Sequence, residues 1–147
     1  MCKELIRTKD DLSAFVLRLM LGIVFFPHGS QKALGWFGGH GFSATLASFT
    51  DKMHIPVIFA LLAIAAEFLG AIALIIGLFT RLAAFGIAVV MVVAISMVHA
   101  HNGFFMNWSG MQKGEGIEYH LLVIAICLAL MIKGGGSFSI DKNFSKS

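Results

Sequence analysis

The sequence predicts an all-α integral membrane protein: a four-helix bundle with a short interfacial helix in its first outer loop. Hydrophobic residues make up 58% of the 147 residues and charged residues only 13%, whereas soluble domains carry roughly 25% charged residues. Four apolar runs are separated by polar or glycine-rich segments, and we expect them to form one domain over residues 1–147. Because these few charges could not cover the surface of a water-soluble protein of this size, most of the protein surface should face lipid.

The four predicted helices cover residues 11–28, 57–79, 82–100 and 117–132. At 1.5 Å per residue, runs of this length span roughly 22–34 Å, which brackets the ~30 Å hydrocarbon core of a bilayer. The first run has the basic start of a signal peptide, but Arg18 interrupts it and its exit lacks a small-x-small cleavage pattern. We interpret it as a retained helix.

The basic residues that flank the runs predict the orientation of the chain. Seven of them lie on the side of the two termini, and three lie on the opposite side. The first group is Lys3, Arg7, Lys9, Arg81, Lys133, Lys142 and Lys146, and the second is Lys32, Lys52 and Lys113. This bias predicts a multi-pass protein with both termini cytoplasmic. The net charge of +3 is scattered rather than clustered, which argues against nucleic-acid binding.

The first outer loop contains the predicted interfacial helix. Its opening segment, Gly35–Gly41, is too rich in glycine for regular structure. Apolar residues then recur at helical spacing opposite polar ones, a pattern typical of a helix lying in the membrane interface. These apolar residues are Phe42, Leu46, Phe49 and Met53.

Several short segments are more specific than the apolar pattern. They are Phe25-Phe-Pro-His-Gly-Ser-Gln-Lys32, Gly35-Trp-Phe-Gly-Gly-His-Gly41, Ala66-Glu-Phe-Leu-Gly70, Gly77-Leu-Phe-Thr-Arg81, His101-Asn-Gly-Phe-Phe105, Gly116-Ile-Glu-Tyr119 and Gly134-Gly-Gly-Ser-Phe-Ser-Ile-Asp141. Together they resemble the DoxX family of membrane proteins over nearly the whole chain.

The resemblance implies a four-helix inner-membrane protein linked to redox physiology. A related branch, DoxD, provides a subunit of thiosulfate:quinone oxidoreductase, and some DoxX relatives are associated with sulfur-transfer and superoxide-handling enzymes. A redox or sulfur-transfer partner protein is therefore implied here as well. Many members have no established activity, so the resemblance assigns no catalytic residue.

Two charged residues lie inside the apolar runs. Glu67 is near the middle of the second run and Arg18 is about six residues inside the first. An isolated charge at that depth is costly, so each should find a partner. We predict a structural ion pair between Arg18 and Glu67 that joins helices one and two. The alternative is that Glu67 carries protons or contacts a quinone.

A second group of polar residues lies at the outer ends of helices one, three and four. The sequence predicts a pocket lined by three histidines, with Glu67 at its floor and two further polar residues at its rim. The histidines are His28, His99 and His120, and the rim residues are Gln31 and Lys32. A quinone headgroup is the favoured ligand, because its carbonyl oxygens need such donors. The alternative is histidines bonded to loop carbonyls; the spacing lacks an i, i+4 pair and argues against a metal or haem.

Two classes of function follow. The first is an accessory or quinone-linked subunit in redox, sulfur or oxidative-stress physiology and, if it is an enzyme at all, a subunit of a quinone-linked membrane oxidoreductase. The second is a non-catalytic membrane scaffold or small-solute carrier. The sequence has no CxxC or dinucleotide motif, and its two cysteines are Cys2 and Cys127. We therefore expect no intrinsic cofactor and no metal, with quinone as the diffusible candidate; homo-oligomerisation is left open.

Overall fold

The computed structural model describes residues 6–145, and within that range it consists of helices and loops without a strand. The helices are α1 (Leu12–Ala33), α2 (Gly41–Ala47, continued by a π turn at Ser48–Lys52), α3 (Val57–Ile76), α4 (Thr80–Ala94, continued by a π turn at Ile95–His99 and a 3-10 turn at Ala100–Asn102), α5 (Glu118–Lys133) and α6 (Ile140–Ser145). The all-α prediction is confirmed. Cys2, Lys3 and Lys146, which enter the predictions above, lie outside the described residues.

Three segments are long and apolar enough to cross a membrane: Leu12–Ala33, Val57–Ile76 and Thr80–Asn102. The fourth predicted span, α5, has 16 residues, which corresponds to about 24 Å of helix. The first span is longer than predicted, because α1 continues through Pro27 to Ala33 instead of ending at residue 28. The Pro27-His28-Gly29 sequence is typical of a helix C-terminus, but Gly29 lies inside α1 and packs against α3.

The long helices pack in a ring in which α1 contacts α3, α3 contacts α4, α4 contacts α5, and α5 contacts α1. Two glycines bring α1 close to α3. A Cβ atom on Gly22 would lie 2.9 Å from the Ala71 carbonyl oxygen, and one on Gly29 would lie 2.5 Å from the Phe68 Cα atom. The α1–α3 contact is therefore a backbone contact along two turns of each helix. Many large apolar side chains face outward, as lipid contact requires.

The ring has two ends that differ in chemistry. We call one the terminal end, because residues 6–11, the Gly77–Arg81 turn and the Gly134–Ser145 segment lie there. We call the other the loop end, because it carries residues 34–56 and 103–117.

Arg18 is fully buried and faces the terminal end. Its five guanidinium N–H groups donate hydrogen bonds to five backbone carbonyls. Nε bonds Gly135 O (2.8 Å), Nη1 bonds Leu74 O and Ile75 O (2.8 Å each), and Nη2 bonds Ser137 O (3.2 Å) and Phe138 O (2.8 Å). The predicted Arg18–Glu67 ion pair is therefore wrong. Two of these carbonyls belong to the last turn of α3, where the helix dipole also favours a cation.

The Gly77–Arg81 turn is held by the C-terminal segment. The Asp141 carboxylate accepts hydrogen bonds from the backbone N–H groups of Phe79 (2.7 Å) and Thr80 (2.9 Å), at the start of α4. The Asp141 N–H in turn donates to Gly77 O at 2.9 Å. Gly77 ends α3 with φ of +71°, and a Cβ atom there would lie 2.5 Å from the Ser139 Cβ. The turn thus requires glycine for both its conformation and its contact.

Candidate functional site

Glu67 pairs with Lys32 at the loop end. The Lys32 Nζ atom lies 2.6 Å from Glu67 Oε2, and the Glu67 side chain is almost completely buried. The pair follows from the α1–α3 contact, because Gly29 lies against the backbone of Glu67 and Lys32 is three residues, or about one helical turn, further along α1. The longer α1 is therefore what carries a cation to this carboxylate. A helix ending at residue 28 would have left Lys32 in the loop.

An open groove of about 310 Å³ adjoins the pair. It lies between the end of α1, the glycine-rich loop and α2. Its lining residues are Gln31, Lys32, Gly38, Gly39, His40, Ala44, Thr45, Ser48 and Phe49. Gln31 supports the loop by donating from Nε2 to Phe37 O at 3.0 Å. Gln31 and Lys32 thus line a groove beside α2 and not the rim of a pocket between His28, His99 and His120.

His99 and His120 come together across α4 and α5. Their ring centroids are 4.0 Å apart with the planes inclined by 42°. The His99 Nδ1–H donates to Glu115 O at 2.8 Å, which fixes the orientation of that ring. The helical backbone changes from α to π at Ile95 and reaches His99 in the π turn, and such turns re-aim side chains near functional sites.

Three buried polar atoms at or near the loop end have no hydrogen-bond partner. They are Ser30 Oγ, Tyr119 Oη and His120 Nδ1. The Tyr119 ring packs edge-on against His120, with centroids 5.6 Å apart. A buried polar group without a partner costs free energy that a ligand could recover. These three atoms are therefore the strongest structural indication of a site.

Tyr119 and Ser30 were missed by sequence reasoning. One signal could have found the first, because Tyr119 is the single tyrosine in a chain with 14 phenylalanines. A hydroxyl at that position is then a departure from an otherwise apolar aromatic set. Ser30 has no comparable signal, since small hydroxyl residues are common in membrane helices.

His28 does not join the other two histidines. Its side chain is exposed and its ring contacts Phe25, with centroids 6.1 Å apart. The structure therefore divides the predicted pocket into two clusters: the lysine–glutamate pair of α1 and α3, and the histidine pair of α4 and α5, which Tyr119 adjoins.

The segment 103–117 is hydrogen-bonded to the start of α5. Glu118 opens α5 and turns outward, where its Oε1 accepts from the Met106 N–H (2.9 Å) and from the Trp108 Nε1–H (3.1 Å). His101 is exposed. Within residues 6–145, no three His, Cys, Asp or Glu side chains are grouped so that they could hold a metal ion. The arrangement offers hydroxyl, imidazole and ammonium groups beside one carboxylate, which suits hydrogen bonding to a carbonyl-bearing ligand.

Comparison with known proteins identifies relatives over most of the chain. Residues 13–100 match the DoxX family. An uncharacterized protein of Haemophilus influenzae is 31% identical over 88% of this chain and 89% of its own length. Inner membrane protein YqjF of Escherichia coli is 26% identical over 93% and 95%, respectively. CatD of Bacillus subtilis, which is provisionally named an oxidoreductase, is 28% identical over 82% and 79%. No solved structure matches the chain.

The family match contains Arg18, Lys32, Glu67 and His99 and covers more than half of the chain. The Haemophilus influenzae relative extends the similarity to nearly the full length. Together with three helices able to span a membrane, these matches show that the chain belongs to the DoxX family of membrane proteins.

Proposed function

We propose that this protein is a quinone-linked accessory subunit of a redox system in the inner membrane. Four helices cross the bilayer, with α5 as the short fourth span and α2 lying in the outer interface, and both termini are cytoplasmic. Support comes from the relatives, one named an inner membrane protein and one provisionally named an oxidoreductase. A short α5 is compatible with a crossing when its ends are supported by interfacial residues.

One observation carries the quinone proposal: Tyr119 Oη and His120 Nδ1 are buried at the loop end without hydrogen-bond partners. A hydroxyl and an imidazole at this level can both donate to the carbonyl oxygens of a quinone headgroup. The isoprenoid tail of such a ligand can lie along the outward apolar surface of the helices. Binding would satisfy polar groups that neither lipid nor the bundle satisfies.

The residues have distinct roles in this proposal. Tyr119 donates a hydrogen bond to the headgroup, and His120, held against His99, provides the second polar contact. The Lys32–Glu67 pair supplies an acid and a base between the headgroup and the adjoining groove. A bound quinone supplies two-electron, two-proton chemistry, and the electrons come from a partner protein.

The test is purification in a mild detergent followed by mass analysis of extracted small molecules and titration with a short-chain quinone. We expect a co-purifying quinone. Tyr119→Phe should weaken quinone binding about tenfold, since it removes one buried hydrogen bond, and His120→Ala should do at least as much.

His101→Ala is the matched control, because His101 also lies at the loop end but is exposed. His28→Ala separates the sequence prediction from the structure: it should leave binding unchanged if the two clusters are as separate as the geometry indicates. Unaltered binding in both Tyr119→Phe and His120→Ala would remove the quinone assignment.

A scaffold is the second candidate, and the segment 103–117 favours it. Trp108 and Met111 are 87% and 88% exposed there, which is typical of a surface that contacts membrane or protein. A preparation that contains a stoichiometric partner and no quinone would support the scaffold.

The orientation is testable without any ligand. Reporter fusions after Lys113 and at the C-terminus should report opposite compartments, with the C-terminal fusion cytoplasmic. Two fusions on the same side would contradict the crossing of α5.

A further inference from the structure

A second concave region lies at the terminal end, remote from Tyr119 and His120. It is an open groove of about 420 Å³ between residues 7–11 and the facing ends of α4 and α5. Its lining is mainly cationic and consists of Arg7, Thr8, Lys9, Asp11, Arg81, Ile132 and Lys133.

The walls of this groove are fixed by backbone contacts. Arg81 donates to Arg7 O from Nε (3.3 Å) and Nη2 (3.0 Å), and it also donates to the carbonyls of Met131 and Ile132 at the end of α5. The Gly136 N–H donates to Thr8 Oγ1 at 2.8 Å. The segment 7–11 is thus bound to the bundle through the Arg7 carbonyl and the Thr8 hydroxyl.

Charge in the groove is strongly one-sided. Four cationic side chains line it against a single carboxylate, Asp11. That carboxylate is already bound by Lys133 Nζ at 2.6 Å and caps α1 by accepting from Ser13 N (2.8 Å) and Ala14 N (3.1 Å). The groove therefore presents a positive field to any group that enters it.

Exposed apolar side chains belong to the groove or follow its lining residues directly in the chain. Leu12 begins α1, Leu82 lies in the first turn of α4, and Ile132 lies in the last turn of α5, where it is 76% exposed. A ligand suited to both features has an anionic head and apolar chains that follow the helices into the bilayer.

We propose that this groove binds the phosphate of an anionic phospholipid, with the acyl chains packed beside Leu12, Leu82 and Ile132. Lys9 and Arg7 contact the phosphate from the N-terminal segment, while Arg81 and Lys133 complete the positive surface. The bound lipid joins residues 7–11 to α5 at the membrane surface, where it stabilises the terminal end independently of any ligand at the loop end.

The test measures the thermal unfolding midpoint of the full chain in a neutral detergent with added dioleoylphosphatidylglycerol or dioleoylphosphatidylcholine. We expect the anionic lipid, but not the zwitterionic lipid, to raise the midpoint. The double variant R7Q/K9Q should weaken phosphatidylglycerol binding roughly thirtyfold, because it removes two cations near the surface. The matched control K52Q/K113Q loses the same charge away from the groove and should bind as the parent does.

Three results would overturn the proposal: equal stabilisation by both lipids, equal binding by R7Q/K9Q and K52Q/K113Q, or equal stabilisation by inorganic phosphate at the same concentration, which would identify a free-anion site. If R7Q/K9Q does not fold, the proposal is tested instead by phosphatidylglycerol binding to R7K/K9R and by the salt dependence of that binding. Binding should persist in R7K/K9R and should weaken between about 0.05 M and about 0.5 M NaCl as the charges are screened. Loss of binding in R7K/K9R, or no salt dependence, would likewise contradict it.

Discussion

The terminal end and the loop end of this bundle use polar residues in opposite ways. At the terminal end, Arg18 and Asp141 are fully buried or nearly so, and their donors and acceptors are bonded to backbone groups. At the loop end, Glu67 has one cationic partner, while Tyr119 Oη and His120 Nδ1 have none. Among residues 6–145, Thr80 Oγ1 is the one buried side-chain atom at the terminal end without a hydrogen-bond partner.

The difference separates structure from function. Satisfied polar groups inside a membrane protein hold helices in place, because breaking them leaves carbonyls or N–H groups without water to replace the bond. Buried polar groups without a hydrogen-bond partner destabilise the folded protein, and a ligand that bonds them offsets that penalty. The interior of the terminal end therefore maintains the fold, and the lipid proposed above would bind only at its surface groove. The loop end is the part whose interior has polar groups left to bond a ligand. The following substitutions test that division, beginning with the largest expected effect.

Arg18→Ala should be the most damaging single change. It removes the guanidinium donor from five carbonyls at the terminal end, of which Leu74 O keeps a second donor in the Gly77 N–H at 3.3 Å. We expect a loss of about 3–5 kcal/mol in the free energy of unfolding. Arg18→Lys should recover part of it, since an ammonium has three donors rather than five. Unfolding in detergent measures both. Met20→Ala, an exposed position on α1, is the control, and a comparable loss there would contradict the assignment of Arg18.

Gly29→Ala should cost about 1–3 kcal/mol, because its Cβ would meet the Phe68 Cα at 2.5 Å and the α1 and α3 backbones would have to separate. Gly70→Ala is the matched control on α3: its Cβ finds its nearest neighbour, an Ile87 side-chain atom, at 3.7 Å. We expect Gly70→Ala to be tolerated. Equal effects in the two variants would mean that the close approach at Gly29 does not organise the loop end.

A double-mutant cycle separates the observed ion pair from the predicted one. Lys32→Met and Glu67→Gln should show a coupling energy of about 1–2 kcal/mol, whereas Arg18→Met and Glu67→Gln should show none. Glu67→Ala should also destabilise more than Leu69→Ala, whose side chain faces outward. Coupling between Arg18 and Glu67 would restore the ion pair that the sequence predicts.

The smallest effect concerns acid stability at the terminal end. Hydrogen bonds from Lys133, Ser13 and the Ala14 N–H hold the pKa of Asp11 well below its ordinary value of 3.8. Because the pKa is lowered on folding, the stabilisation is complete above pH 3.8 and is lost as the pH falls further. Asp11→Asn should therefore lower the unfolding midpoint at about pH 6 and lower it less at about pH 3. A difference that does not shrink on acidification would exclude the carboxylate as its source.

The helices were predictable because apolar periodicity and length are local properties. The second predicted span corresponds to α3, which begins at Val57 as predicted. It ends at Ile76 rather than at residue 79, because Gly77 has a positive φ. The site was less predictable. Lys32 and Glu67 were both identified, but as rim and floor of one pocket rather than as a pair, and Tyr119 was overlooked because a single hydroxyl hardly alters an apolar run.

Composition and spacing by themselves determined the all-α class, the apolar runs and the short list of polar residues that are candidates for a functional role. Only the tertiary structure decided which of them meet. Arg18 and Glu67 are opposite charges in neighbouring apolar runs, so a sequence suggests that they pair. A buried guanidinium, however, can be satisfied by any five carbonyls, and every residue of the chain carries a carbonyl. The carbonyls at the end of α3 and of Gly135, Ser137 and Phe138 come together around Arg18 only once the helices have packed.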